Sequence, residues 1–431
     1  MDFPDADRID ELIDPVDFPR LARVSYEPPA EDLADVAATA RTEVATLPLD
    51  QVPDGGRIAV GLGSRGITDI VPIATAVIDE LATRGYDPVA IPAMGSHGGA
   101  TAEGQRQTLA ALGLTEDQLG CPIDARMATT VVGQTAAGDP VHLADAAREA
   151  DATVVINRVK PHTNFTGMIE SGLCKMTAIG LGKRPGASAV HERAILDGYV
   201  PAITDTLDVI RSELTWLGGI AVVENFYDRT GHIEGIPAAD LPDRESDLIE
   251  RARAAMPTLP YDDLDVLVVD RIGKDVSGTG MDTNVIGRYR VINADDPETP
   301  AIKRIVVRGL TEATHGNGHG IGLADLTTTD VLAALDLDQM YANGLTSGSF
   351  EKGRLPMALP TDEHAITAAC SGIGPYDPDT VRLAWIQDTG HLSSFRISPA
   401  LADTPPEHLS IDGWDRLTFE DGHPTFTAID R

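Results

Sequence analysis

From residue 57 onward the chain repeats one order of patterns: a short apolar run, a Gly-rich loop, then an amphipathic stretch. Ile58–Val60 predicts a short buried strand that ends in the turn carrying Ser64 and Arg65. Asp69–Arg84 has apolar residues at helical spacing, with Thr68 as candidate N-cap and Gly85 as stop. A second unit follows in DPVAIPA, the loop Gly95–Gly99 around His97, and a helix from about Thr101. A third opens with the apolar run Thr153–Ile156 and runs into Pro161 and His162. Residues 1 to 55 read as a lead-in with little site chemistry.

Strand, loop and helix in repetition predict an α/β protein with parallel sheet, and ligands of such sheets lie beyond the carboxyl ends of the strands. Arg65, His97 and His162 each follow the end of a different predicted strand and should meet at one sheet edge. The stretch around residues 255–265 reads as a linker, after which Val266–Val269 begins a new strand. The expectation is two α/β domains, residues 1–258 and 262–402, with the active site in the cleft between them. The turn-rich tail 403–431 is expected to pack back on the first domain.

Charge sharpens this picture. The chain has 431 residues, 67 Asp and Glu against 34 Lys and Arg, and a formal charge of −33. Acid spread along the whole chain, with arginine preferred to lysine, suits a high-salt cytosol, where the screening length falls to about 3 Å at 1 M. It argues against nucleic acid or an anionic membrane as partner. An acidic N-terminus and the lack of a long apolar run point to a cytoplasmic protein. Cys121, Cys174 and Cys370 are few and far apart, which predicts no disulfide framework and no zinc or iron–sulfur site.

Against that background, three of the six lysines (Lys160, Lys175 and Lys183) lie between Asp151 and Arg193, with Arg158, Arg184, His162 and His191. This predicts a cationic site for an anionic ligand, a phosphorylated cofactor being the leading candidate. Gly180 and Gly182 would let backbone N–H groups approach phosphate, with Lys183 adding charge. His97 and His162 could act as an acid–base pair, since imidazole titrates nearest neutrality. Each alone is better explained as a structural loop histidine, and it is their convergence with Arg65 that brings the catalytic reading level. Arg65 suits a carboxylate. His191 is a candidate metal ligand that would need donors from a cofactor or substrate. His315 and His319 could form a second metal site, but with only glycines and an Asn between them they read rather as a mobile turn.

The motifs GSRG, GSHGG, KPH followed by SGLCK, and a later His resemble the nickel-dependent lactate racemase family, over most of Arg57–Arg193. The resemblance implies a nickel-pincer nucleotide as cofactor and racemisation or epimerisation of a small-molecule 2-hydroxyacid by proton-coupled hydride transfer. It places the paired acid–base catalysts on His97 and His162, the lysine bonded to the cofactor on Lys175, the nickel ligand on His191 and the substrate arginine on Arg65.

Two departures matter. The stretch between His162 and Lys175 is longer than the family's, which keeps Lys183 as a rival amine. The family's substrate motif after Lys274 is replaced by SGTGMDTNVIGR, so that Lys274, Asp282, Asn284 and Arg288 are the expected substrate contacts and the substrate is expected to differ from lactate. Two readings compete: a nicotinamide-nucleotide oxidoreductase, for which GLGSRG is a weak glycine match, and a non-catalytic nucleotide- or anion-binding protein.

Overall fold

The computed structural model describes residues 3–64, 66–292 and 294–430, with only the backbone at Thr346. In chain order its strands begin with β1 (Leu21–Tyr26), β2 (Arg57–Leu62), β3 (Asp87–Pro92), β4 (Thr129–Gln134), β5 (Pro140–Ala144), β6 (Ala152–Arg158), β7 (Trp216–Glu224) and β8 (Thr230–Pro237). They continue with β9 (Asp263–Val269), β10 (Ala301–Val307), β11 (Leu326–Thr328), β12 (Met357–Leu359), β13 (Leu383–Ile386), β14 (Ser394–Ile397), β15 (Leu409–Glu420) and β16 (His423–Ile429). Helices alternate with the strands, and the fold is α/β. None of the described helices is long and apolar enough to cross a membrane.

The chain divides into two compact units, Ala30–Met256 and the combination of Met1–Pro29 with Pro257–Arg431. The first holds a five-stranded sheet in the order β3-β2-β6-β7-β8, parallel except for β8, and the separate hairpin β4-β5. Strands buried on both faces need apolar residues at every position, which is why Thr153–Ile156 reads as one unbroken run. Successive side chains still point to opposite faces. Val155, Ala59 and Ala221 therefore enter one core, while Val154, Ile156, Val60 and Ile220 enter the other.

The chain leaves β2 for β3 on one side and returns to β6 on the other. That reversal opens a crevice at the carboxyl ends of β2 and β6, the place where ligands of open α/β sheets bind.

The second unit holds a nine-stranded sheet in the order β12-β11-β10-β9-β13-β14-β1-β15-β16. Strands β12 to β13 run parallel, and the remainder is antiparallel. Here the domain expectation needs correcting. The first 29 residues belong with this unit, because β1 pairs with both β14 and β15. The tail joins it too, as a long β15–β16 hairpin, rather than packing back on the first unit. The reason is sheet completion: β1 fills the place between β14 and β15, a pairing over almost 400 residues that no local pattern announces.

Candidate functional site

Three loops and one helix start assemble the site of the first unit. After β3, the turn at Met94–Thr101 carries His97, whose Nδ1 meets Ser64 Oγ at 2.5 Å, from the loop after β2. Arg65, the expected carboxylate partner, lies outside the described residues. After β6 the chain reaches His162, whose backbone N–H is held by the buried Glu170 carboxylate at 2.5 Å. The same carboxylate accepts from Gly167 N at 3.1 Å and from Arg253 at 2.7 Å. Burial raises the Glu170 pKa, against the opposing pull of these donors.

Lys175 ends the short helical turn Leu173–Lys175, and the chain then winds as a π-helix over Met176–Gly180. Such widened turns recur at functional sites. Glu245, fully buried, caps this start by accepting from Leu173 N at 2.5 Å and Cys174 N at 3.1 Å. Burial pushes its carboxyl up to about 7.

The Lys175 amine hydrogen-bonds Nε2 of His162. Nδ1 of the same ring accepts the Asn164 backbone N–H at 3.1 Å. A neutral imidazole has one N–H, so with Nδ1 accepting, the proton sits on Nε2 and points at Lys175. Phe165 and Tyr199 stack at 4.6 Å and wall this pair, with His162 4.5 Å from the Phe165 ring. His191 meets the Tyr199 ring edge-on at 5.9 Å. Its pKa falls to about 4, first through burial and then through Lys175 and His97 whenever those are protonated. His191 is thus a neutral lone-pair donor at pH 7, in electrostatic reach of both.

The other members of the expected cationic cradle are placed differently. Lys183 is completely buried, with Nζ donating to Pro92 O at 2.7 Å and to Gln105 Oε1 at 2.9 Å. Burial lowers its pKa to about 8. Gly180 and Gly182 are buried against protein rather than lining an open phosphate cradle. A Cβ at Gly180 would sit 2.4 Å from Ala93 O, and one at Gly182 would sit 3.1 Å from His142 O. Glycine at 180 lets the π-helix close on the end of β3, where Gly95 N donates to Gly180 O at 3.1 Å. Lys160 is half-exposed, and its backbone pairs with Ser171. Arg158 forms an ion pair with Glu224.

In the second unit, Arg288 is 7% exposed and committed to the fold. Its guanidinium binds the carbonyls of Leu323 at 2.9 Å and Ile302 at 2.8 Å, and pairs with Asp325 at 2.9 Å. Asp282 caps the turn Thr283–Ile286 through Asn284 N at 2.9 Å, and Asn284 Oδ1 accepts from Tyr289 at 2.9 Å. Lys274 donates to Gly278 O at 2.8 Å. These polar groups build their own loop.

Sequence reasoning missed Glu170, Glu245, Gln105, Phe165 and Tyr199. Only Glu170, the one acid between Lys160 and Lys175, carried any local signal. Among the described residues, no group of three or more His, Cys, Asp or Glu is placed to hold a metal ion. A comparison with protein-family models finds no match, and a search of curated proteins finds none either.

Proposed function

We propose that this protein is a racemase or epimerase of a 2-hydroxyacid that works with a nickel-pincer nucleotide. The single observation that carries the reading is the convergence of Lys175 on His162, with His191 held neutral beside them and coupled to His97. The residues fit the cofactor. Lys175 offers a part-buried amine for the covalent bond, whereas Lys183 is sealed beneath the sheet edge. His191 offers one imidazole, which suits a metal whose other donors are organic.

When bound, the nucleotide would supply the hydride acceptor. The chain's own residues manage protons and position. One of His97 and His162 removes the hydroxyl proton and the other delivers one after the intermediate turns, each favoured by an imidazole's near-neutral pKa. Ser64 fixes the His97 ring through Nδ1 and directs its chemistry to Nε2. The stacked Phe165 and Tyr199 rings wall one side of the Lys175–His162 pair.

The nicotinamide alternative is weakened at the helix Ile70–Thr83, whose N-terminus would have to take a pyrophosphate. Glu224 already occupies the approach to that end, accepting from Thr68 N at 2.8 Å. Gly61 lies within β2 rather than in a turn.

The test is protein purified from its own host, analysed for metal and by peptide mass spectrometry. The expected result is nickel together with a covalent adduct on the Lys175 peptide. Host-purified protein that racemises a 2-hydroxyacid with Lys175 unmodified would overturn the proposal.

A further inference from the structure

The second sheet has a reversal of its own. From β9 the chain goes to β10 on one side, continues outward to β11 and β12, and comes back to β13 on the other side of β9. The carboxyl ends of β9 and β13 therefore form a switch point, the place where open α/β sheets bind ligands. The loops that leave these two strands are tied together. Arg271 N donates to Gln387 O at 3.0 Å, and Asp282 N donates to Thr389 Oγ1 at 2.8 Å.

Beneath that junction lies Asp388, whose side chain is completely buried while two groups that it holds face solvent. Its Oδ1 accepts from Nδ1 of His391 at 2.6 Å and from Gly390 N at 3.0 Å. Its Oδ2 accepts from Nε of Arg271 at 3.2 Å and from Nε2 of Gln387 at 3.2 Å. Burial alone would raise the Asp388 pKa, but His391, Gln387 and Gly390 outweigh it and hold the carboxyl below its ordinary value. An ionised carboxylate only accepts, so Nδ1 of His391 carries a proton, and in the neutral ring Nε2 is left with its lone pair. The His391 and Arg271 side chains are 66% and 46% exposed. Nε2 of the one and both Nη atoms of the other have no partner among the described residues. One buried charge thus fixes the inner edges of both side chains and leaves an acceptor and a forked donor pointing outward.

We propose that Arg271 and His391 bind a small carboxylate that carries a hydrogen-bond donor next to its carboxyl group. The Nη atoms of Arg271 donate to the carboxylate, as a planar fork does in charge-assisted pairs. Nε2 of His391 accepts from the neighbouring hydroxyl or amine. Because Asp388 holds both side chains in place beforehand, little side-chain freedom is lost on binding. Neither Arg271 nor His391 belongs to the racemase reading, and the site stands independently of it.

Nitrogen NMR of the His391 imidazole in the full chain tests it, in titrations with acetate, glycolate and glycine. The neutral ring should carry its proton on Nδ1, and the Nε2 resonance should shift saturably with glycolate, with glycine or with both. The better of these should bind at least about threefold more tightly than acetate, the size of one net hydrogen bond. Glycolate as the better ligand identifies a hydroxyl beside the carboxylate, and glycine an amine. Arg271→Met should weaken every ligand by on the order of tenfold. Retention of the Nδ1–H form in that variant shows that Asp388 still holds the ring. A proton on Nε2 in the free neutral ring, no saturable shift at His391, a smaller preference over acetate, or unchanged affinity in Arg271→Met overturns the assignment.

Discussion

Nζ of Lys183 donates to Oε1 of Gln105 at 2.9 Å, and the amide of that glutamine donates to the carbonyls of Gly95 at 2.9 Å and His97 at 3.3 Å. A buried lysine thereby holds the His97 loop from beneath. Because Lys183 also begins the helix Lys183–Asp197, it ties the His97 loop to the element that carries His191.

Replacing this lysine should therefore harm the fold first. Lys183→Met leaves Pro92 O and Gln105 Oε1 buried without their donor, and each such loss costs about 1–3 kcal/mol. Denaturant unfolding should show a drop of about 2–4 kcal/mol. A drop below about 0.5 kcal/mol would mean that the loop is held by other contacts.

His97→Ala and His162→Ala each remove one member of the proposed acid–base pair, while Ser64, Asn164 and the surrounding wall remain. Turnover of a 2-hydroxyacid by cofactor-loaded protein should fall on the order of 10² or more in each. Retained turnover with retained ligand binding would return both histidines to a positioning role.

The depressed pKa of His191 has a definite sign. Folded, it titrates at about 4 against 6.5 for the exposed group, so between those values the unfolded chain binds the extra proton. Stability from this group is complete above pH 6.5 and is lost as pH falls towards 4. Imidazole NMR should show His191 neutral down to that range. In Lys175→Met its midpoint should move up but stay below 6.5, because burial is the larger cause.

Glu245 acts in the opposite direction. Its carboxyl is raised from 4.5 to about 7 by burial, so the folded chain holds the proton longer and stability falls as pH rises between those values. Glu245→Gln should abolish that decline in a pH series of unfolding curves. Glu245→Ala strips the acceptor from Leu173 N and Cys174 N and should cost about 1–3 kcal/mol.

The acid excess predicts dependence on salt. Screening of the exposed carboxylates should raise the unfolding midpoint by on the order of 10 °C between about 0.2 and 2 M KCl. A midpoint insensitive to salt would remove the high-salt reading of the composition.

The amino-acid order alone determined the α/β character, the strands β2, β3, β6 and β9 and the loops that follow them, because buried parallel strands and their Gly-rich exits leave continuous local patterns. It also offered His97, His162, Lys175 and His191 as candidate chemistry-bearing side chains. Tertiary contacts decided the rest. Lys183 and Lys175 are both lysines of one Gly-rich segment, and only the packing of Pro92 and Gln105 over the first makes it scaffold. Gly180 is shaped by Ala93, Arg288 by carbonyls on β10 and the following loop, and β1 by strands near the far end of the chain. Burial and hydrogen-bond commitment are properties of distant neighbours, which periodicity and spacing do not record.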